Sequence, residues 1–274
     1  MQPPPTVCLQ LESRAQVLTI VRGMLSGMAE PLALDPELLD DLKTAVSEAC
    51  NNVVLHAYGG EPGPMVVSLR ATAEGVNVVV ADHGAGVPAD LDESTPGIGL
   101  SVIRALTREM TIEPGRDGGT ELSMSFSAER DGRALFDVPD PALSGHGWPD
   151  VQGEQVGLSV SPVGLLPAVL GRMARTLAAT AHFSLDRFSD VYLITDALAA
   201  HAADSALDGR VDARLEAVDR RLELEIGPLR PGASEQLTAT RGKRSPLALL
   251  SDEVEIVTAE AGDRVRVVVI DRRS

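Results

Sequence analysis

Residues 45–58 read Ala45-Val46-Ser47-Glu48-Ala49-Cys50-Asn51-Asn52-Val53-Val54-Leu55-His56-Ala57-Tyr58. Leu39, Leu42, Ala45, Val46, Ala49 and Val53 recur at helical spacing, which predicts a helix over 36–57 with that stripe buried. Glu48 and Asn52 are four residues apart, so they lie one turn apart on the same face. His56 continues the row. A carboxylate, an amide and an imidazole beside an apolar stripe fit two readings. One is an exposed polar face with i,i+4 pairs, and the other is a site. The segment alone leaves both open.

Working outward, Val7, Leu9 and Leu11 alternate as in a short strand. Val17, Val21, Met24 and Met28 form the apolar stripe of an amphipathic helix, with Arg14 and Arg22 off it. Pro31 and Asp35-Pro36 break the chain before the central helix, and Tyr58-Gly59-Gly60 with Pro62-Gly63 end that helix. Met65–Ala71 and Val76–Ala81 read as strands around the turn at 72–75. A loop is expected from Asp82 to Pro96, a helix from about Gly99 to Glu109, strands at 110–112 and 120–126, and a glycine-rich turn at 115–119. Helices and an antiparallel sheet in this order predict an α+β fold, a two-layer α/β sandwich.

Three further motifs punctuate this order. Asp82-His83-Gly84-Ala85-Gly86 follows a strand, where a carboxylate can accept from an exocyclic amine and glycines let backbone approach a flat ligand. Asp and Gly also favour plain turns. Gly97-Ile98-Gly99-Leu100 opens a helix, where free N–H groups and the dipole attract anions, although a flexible loop reads the same way. Gly118-Gly119-Thr120 starts a strand and by itself would be a hairpin turn.

Together the four boxes resemble the GHKL ATPase superfamily with its Bergerat ATP-binding fold, over roughly residues 6–127 and with no box missing. The resemblance implies ATP and Mg²⁺ as ligands. It makes Asn52 the Mg²⁺ ligand and Glu48 the general base. It makes Asp82 the adenine-reading carboxylate, supported by Thr120, with Gly84 and Gly86 lining the adenine and ribose side. Gly97, Gly99 and Leu100 would offer backbone amides to the phosphates. His56 sits at a family-like position without a defined role.

The string Leu42-Lys43-Thr44-Ala45-Val46-Ser47-Glu48-Ala49 and the tail His56-Ala57-Tyr58 resemble the bacterial anti-sigma-factor serine kinases. That branch binds a sigma factor and phosphorylates a serine on a STAS-type antagonist, so partner switching and transcription regulation are implied. In such proteins the first helix, here with Arg14 and Arg22, is the face that meets a sigma factor. An ATP-gated anti-sigma binding module with little kinase activity is the alternative. A sensor histidine kinase catalytic fragment fits less well, because no helix with a phosphoacceptor histidine precedes the domain.

The bulk numbers set limits. The 274 residues suffice for two domains, and 44% hydrophobic content supplies a core built mostly of aliphatic side chains. A formal net charge of −16 gives no electrostatic reason to bind nucleic acid. Cys8 and Cys50 sit in apolar settings and suit a reducing cytoplasm. No apolar run is long enough for a membrane span, and the start of the chain lacks the pattern of a secretory signal.

The expected division is 1–127 as the ATP-binding kinase domain, 128–155 as a linker rich in Asp, Gly and Pro, and 156–274 as a degenerate second copy. Shifting by 149 lays Val7, Leu9 and Leu11 on Val156, Leu158 and Val160, and lays the 42–53 stripe on 191–202. The boxes do not survive this shift. Ala197 and His201, or Asp196 and Ala200, stand where Glu48 and Asn52 do. Glu225-Ile226-Gly227-Pro228-Leu229 stands for the Asp82 box, and the basic cluster Arg241-Gly242-Lys243-Arg244 stands near the third. The expectation is a second half that binds no Mg²⁺–ATP and replaces a partner protomer, giving an intramolecular pseudo-dimer.

Overall fold

The computed structural model describes residues 6–72, 74–86, 97–115, 118–127, 151, 153–238, 246–259 and 261–272. The chain is α+β with antiparallel sheet, and it divides into two compact units at Gly153/Glu154. The linker expected over 128–155 falls almost wholly outside the described residues, as do the basic cluster at 241–244 and most of the loop expected before Pro96.

The first unit runs β1 (Thr6–Glu12), α1 (Val17–Met28), α2 (Pro36–Asn52), β2 (Pro64–Thr72), β3 (Gly75–Asp82), α3 (Ile98–Leu106), β4 (Glu109–Pro114) and β5 (Thr120–Ser127). Its sheet order is β4-β5-β3-β2-β1, antiparallel throughout. Alternation puts one set of side chains on the core face of every strand. The registers join them into rows. Val7, Leu69, Val78, Met124 and Met110 form one, and Leu9, Val67, Val80, Leu122 and Ile112 form the next. The following row is Leu11, Met65 and Asp82. Asp82 therefore belongs to the core face by strand period, and it is buried at the rim of the apolar layer.

Helix α2 packs against α1 and α3 and against β3 and β5. Pro36 stands in its first turn, and the Asp35 carboxylate accepts from the Glu37 N–H at 2.9 Å, so its start is capped. Leu42, Ala45, Val46, Ala49 and Cys50 are its buried stripe. The helix expected through residue 57 is α-helical only to Asn52 and continues as a π-turn over Val53–Ala57. The helix expected to reach Glu109 stops at Leu106. Thr107 is extended there, its hydroxyl turned back onto the Ile103 carbonyl, and Glu109 already begins β4.

The second unit runs β6 (Val156–Ser161), α4 (Leu166–Thr180), α5 (Leu185–Ser205), β7 (Val211–Val218), β8 (Arg221–Leu229), α6 (Glu235–Thr238), α7 (Pro246–Leu250), β9 (Glu253–Ala259) and β10 (Gly262–Ile270). Its sheet order, β9-β10-β8-β7-β6, matches that of the first unit strand for strand. Its core rows are likewise aliphatic, for example Leu158, Ala213, Ile226, Val265 and Ile256. No helix among the described residues is long and apolar enough to cross a membrane.

On the other face of the second sheet, Arg266 donates to Glu223 at 2.5 Å and to Glu255 at 3.2 Å. The hydrogen bond from Arg266 is the main reason that the Glu223 carboxyl titrates below the usual carboxylate range, against some opposing desolvation. A lowered folded-state value means that the pair stabilises above about pH 4.5 and that this contribution disappears as pH falls through the lowered value. Urea unfolding of wild type and Glu223→Gln should therefore differ at neutral pH and converge as pH falls through the lowered Glu223 value. A pH-independent gap would contradict this.

Candidate active site

Glu48 and Asn52 stand on α2 beside its buried stripe, both half-buried. Helix α3 begins above them. A Cβ on Gly99 would lie 2.9 Å from Glu48 Oε2 and 3.5 Å from Asn52 Oδ1. The absent side chain thus leaves open a small space bordered by one carboxylate oxygen and one amide oxygen. Backbone N–H groups in the first turn of α3 have no partner within the helix, and its dipole is positive at that end. Gly97 caps α3 in an extended conformation, Ile98 is exposed and Leu100 is half-buried. A carboxylate, an amide oxygen and an anion-attracting helix start therefore meet at one point.

The second cluster forms where β3 ends. Asp82 Oδ1 accepts from the Gly84 N–H at 2.8 Å. The Ala85 N–H donates to the Ala57 carbonyl at 2.9 Å, which ties this loop to the π-turn that follows α2. Gly84 has to be glycine, because a Cβ there would run into the Ala57 carbonyl. Gly119, with φ +77°, packs in the same manner against the Asp82–His83 backbone and leads directly into half-buried Thr120. Gly86, with φ +79°, faces the Gly119 carbonyl.

Tyr58 also holds this loop in place. Its hydroxyl accepts from the His83 N–H at 2.8 Å and donates to the Pro64 carbonyl at 2.5 Å. Gly63 lies directly against its ring, where a Cβ would be 2.5 Å from three ring carbons. Burial, with the Asp82 charge adding, pushes the phenol above its ordinary value, so it remains a donor through the neutral range. No local pattern announces such a clamp, since its partners lie at the start of β2 and just after β3.

The expected residues thus fall into two groups. Glu48, Asn52 and Gly99 are together, and Asp82, Gly84, Gly86 and Thr120 are together. The π-turn and its Ala57 carbonyl connect them. His56 is exposed on that π-turn, whose i→i+5 winding breaks the row running from Glu48 through Asn52. Among the described residues no cluster of three or more His, Cys, Asp or Glu could hold a metal by itself. The oxygens bordering Gly99 suit Mg²⁺, which takes few protein ligands when phosphate oxygens complete its shell.

Arg14, expected on the first helix, precedes α1 and pairs with Glu12 at 2.7 Å, whereas on α1 Arg22 Nε donates to Ser47 Oγ at 2.9 Å. A groove of about 450 Å³ lined by Arg22, Ser26, Asp40, Lys43 and Thr44 runs between α1 and α2.

The corresponding positions of the second unit differ from the expected ones in one respect. Counted from the hairpin turn, Asp82 is the seventh residue after Gly75, and Pro228 is the seventh after Arg221. Glu225 is a mid-strand residue paired with Arg264 at 3.1 Å, not the counterpart of Asp82. The two hairpins have equal turns, but the path from Ala202 on α5 to Val218 at the β7 end is three residues shorter than that from Val53 to Thr72, so the fixed shift does not carry over and the Asp82 position falls on Pro228.

A family model described as "Histidine kinase-like ATPase domain" matches residues 11–126. Similar proteins include the serine-protein kinase RsbW of Halalkalibacterium halodurans, 31% identical over 143 residues, which are 47% of this chain and 86% of that protein. The RsbW of Bacillus pumilus is 28% identical over 140 residues, 44% of this chain and 86% of that protein. That of Bacillus mycoides is 26% identical over 138 residues, 45% of this chain and 85% of that protein.

The steric argument separates two glycines. Gly84→Ala should cost about 1–3 kcal/mol in urea unfolding, because the loop must leave Ala57. Gly97→Ala, where a Cβ meets nothing within 4 Å among the described residues, should stay within about 0.5 kcal/mol of wild type. Equal effects would refute the assignment of Gly84 as a close-approach position.

Proposed function

The chain belongs, through its first unit, to the histidine kinase-like ATPase family that includes the RsbW serine-protein kinases, and from that premise we propose that it is an ATP-dependent anti-sigma-factor serine kinase. It phosphorylates a STAS-type antagonist and controls a sigma factor by partner switching in the cytoplasm. The observation that carries the reading is the meeting of Glu48 Oε2 and Asn52 Oδ1 at the Cβ-free face of Gly99.

In this reading Asp82 accepts from the adenine amine while its other oxygen stays tied to the Gly84 N–H. Thr120 supports that contact, and Gly84 and Gly86 let the backbone approach the base and ribose. The amides of Gly97, Gly99 and Leu100 at the α3 start hold phosphate oxygens. Asn52 holds Mg²⁺, which when bound neutralises charge on the β- and γ-phosphates. Glu48 accepts the proton of the antagonist's serine hydroxyl as the new O–P bond forms and the bond to the β-phosphate oxygen breaks. His56, exposed on the π-turn, is assigned no step. Arg22 and the α1–α2 groove are the proposed contact for the sigma factor.

The second unit is read as a duplicated copy that has lost the site. The equal strand order supports duplication. Ala197, His201 and Pro228 at the positions of Glu48, Asn52 and Asp82 support loss of Mg²⁺–ATP binding. It replaces a partner protomer, so static light scattering should give the mass of one chain. A tight two-fold homodimer would count against that reading.

Incubation with γ-labelled ATP, Mg²⁺ and a STAS antagonist should label the antagonist on serine. Glu48→Ala should reduce labelling about 10²-fold or more while leaving the Kd for ATP within a few-fold. Asn52→Ala should abolish Mg²⁺-dependent ATP binding itself. Unlabelled antagonist with intact ATP binding would leave the ATP-gated binding module as the better reading.

A further inference from the structure

In the second unit the segment that follows β8 crosses immediately to α5. The Arg230 N–H donates to the Ser205 carbonyl at 2.7 Å, just as Ala85 donates to Ala57 in the first unit. Gly232, with φ +76°, then stands where Gly86 stands. Its N–H donates to Asp263 Oδ2 at 2.7 Å. Asp263 follows Gly262 at the start of β10, as Thr120 follows Gly119 at the start of β5. Gly262 has φ +121°, and a Cβ there would come within 2.5 Å of the Leu229 carbonyl. Two residues beyond Gly232, Ser234 Oγ lies 2.9 Å from His201 Nε2, at the position of Asn52. Ser234 is fully buried and Asp263 is 2% exposed. The backbone turns Ala233 to Arg230 and Leu237 to Ser234 keep the segment compact.

These contacts are anchored at both ends of what is the nucleotide cleft in the first unit. The Asp263 anchor corresponds to the Asp82–Thr120 side, and the His201 anchor corresponds to the Glu48–Asn52 side. In the first unit 10 residues separate Gly86 from Gly97, the cap of α3, and none between Val87 and Pro96 is described. In the second unit the crossing takes two residues.

We infer that the second unit's cleft is a binding site whose occupant is its own chain: residues 230–237 form a strap anchored by Gly232 on Asp263 and by Ser234 on His201, in the position that nucleotide takes in the first unit. The inference rests on the duplication reading for the correspondence of positions, but the strap and its bonds are independent of any kinase activity. Burial lowers the His201 pKa, against the opposing charge of Asp204, and a neutral ring suits a hydroxyl partner. Asp263 Oδ1 is buried and has no hydrogen-bond partner among the described residues, so the carboxylate is held at this anchor through Gly232 alone.

Hydrogen-exchange mass spectrometry on the full chain tests the strap, with MgATP as the probe. Peptides covering 230–237 should exchange slowly without nucleotide, and MgATP should not change them. MgATP should slow exchange only around 46–58, 82–86 and 97–101. Asp263→Ala combined with Ser234→Ala should speed strap exchange about tenfold or more, since both anchoring bonds are lost. Asp263→Asn, which keeps an acceptor for Gly232, should retain slow exchange, and this separates strap release from misfolding. Fast strap exchange in wild type, or no change in the double variant, overturns the inference. So does MgATP protection at 197–201 and 228–237. Absence of MgATP protection in the first unit would instead defeat the kinase reading and leave the strap result standing.

Discussion

The hydrogen bond from the Ala85 N–H to the Ala57 carbonyl carries the geometry of the first unit's site. Glu48 and Asn52 are fixed by a helix, and Asp82 by a strand, and neither element dictates the distance to the other. That one bond joins the end of the helix to the end of the strand. It forms because Gly84 has no side chain to hold the backbones apart. Tyr58, next after Ala57, adds a second connection two residues earlier in the loop, through the His83 N–H and the Pro64 carbonyl. A loop tied at His83 and at Ala85 gives Asp82 a defined direction, which a lone carboxylate at a strand end would lack.

Much of this was legible because it is periodic. The alternation over 65–71 and 76–81 predicts the strands within a residue or two, and the 3.6-residue stripe predicts α2 and the shared face of Glu48 and Asn52. What could not be read is set by tertiary contact. The π-turn at 53–57 lies in a stretch with the same apolar character as the helix before it. The Tyr58 clamp joins the start of β2 to the residue after β3. Reading Glu225 as the Asp82 position misplaces it by three residues. The connection between α5 and β7 is shorter than its counterpart, so no single shift holds for the positions beyond it. The registers of β7 and β8 move that position to Pro228.

On the reading of the second unit as a copy without a site, the two units separate features that serve the fold from those that serve the site. Their aliphatic rows and strand orders agree. So do left-handed glycines at matching places, Gly86 with Gly232 and Gly119 with Gly262. Those residues serve packing and backbone geometry, which any fold of this order needs. On that same reading, alanine and histidine stand in the second unit at the positions of the polar residues grouped around Gly99, and proline at that of the strand-end carboxylate. Core pattern therefore reports the fold, and only the placement of a few polar atoms reports the chemistry.

The short crossing from Gly232 to Ser234 has a consequence in mass action. A group on the same chain is never diluted, and a short tether presents it at an effective concentration of roughly millimolar or above. A free molecule entering that cleft competes with a rival whose concentration does not fall when the protein is scarce or the cell is starved. Occupancy of the second unit is then insensitive to energy supply, whereas a site without such a tether follows it. One chain would thus carry one half that responds to the cell's phosphate-donor level and one half that serves as a fixed reference.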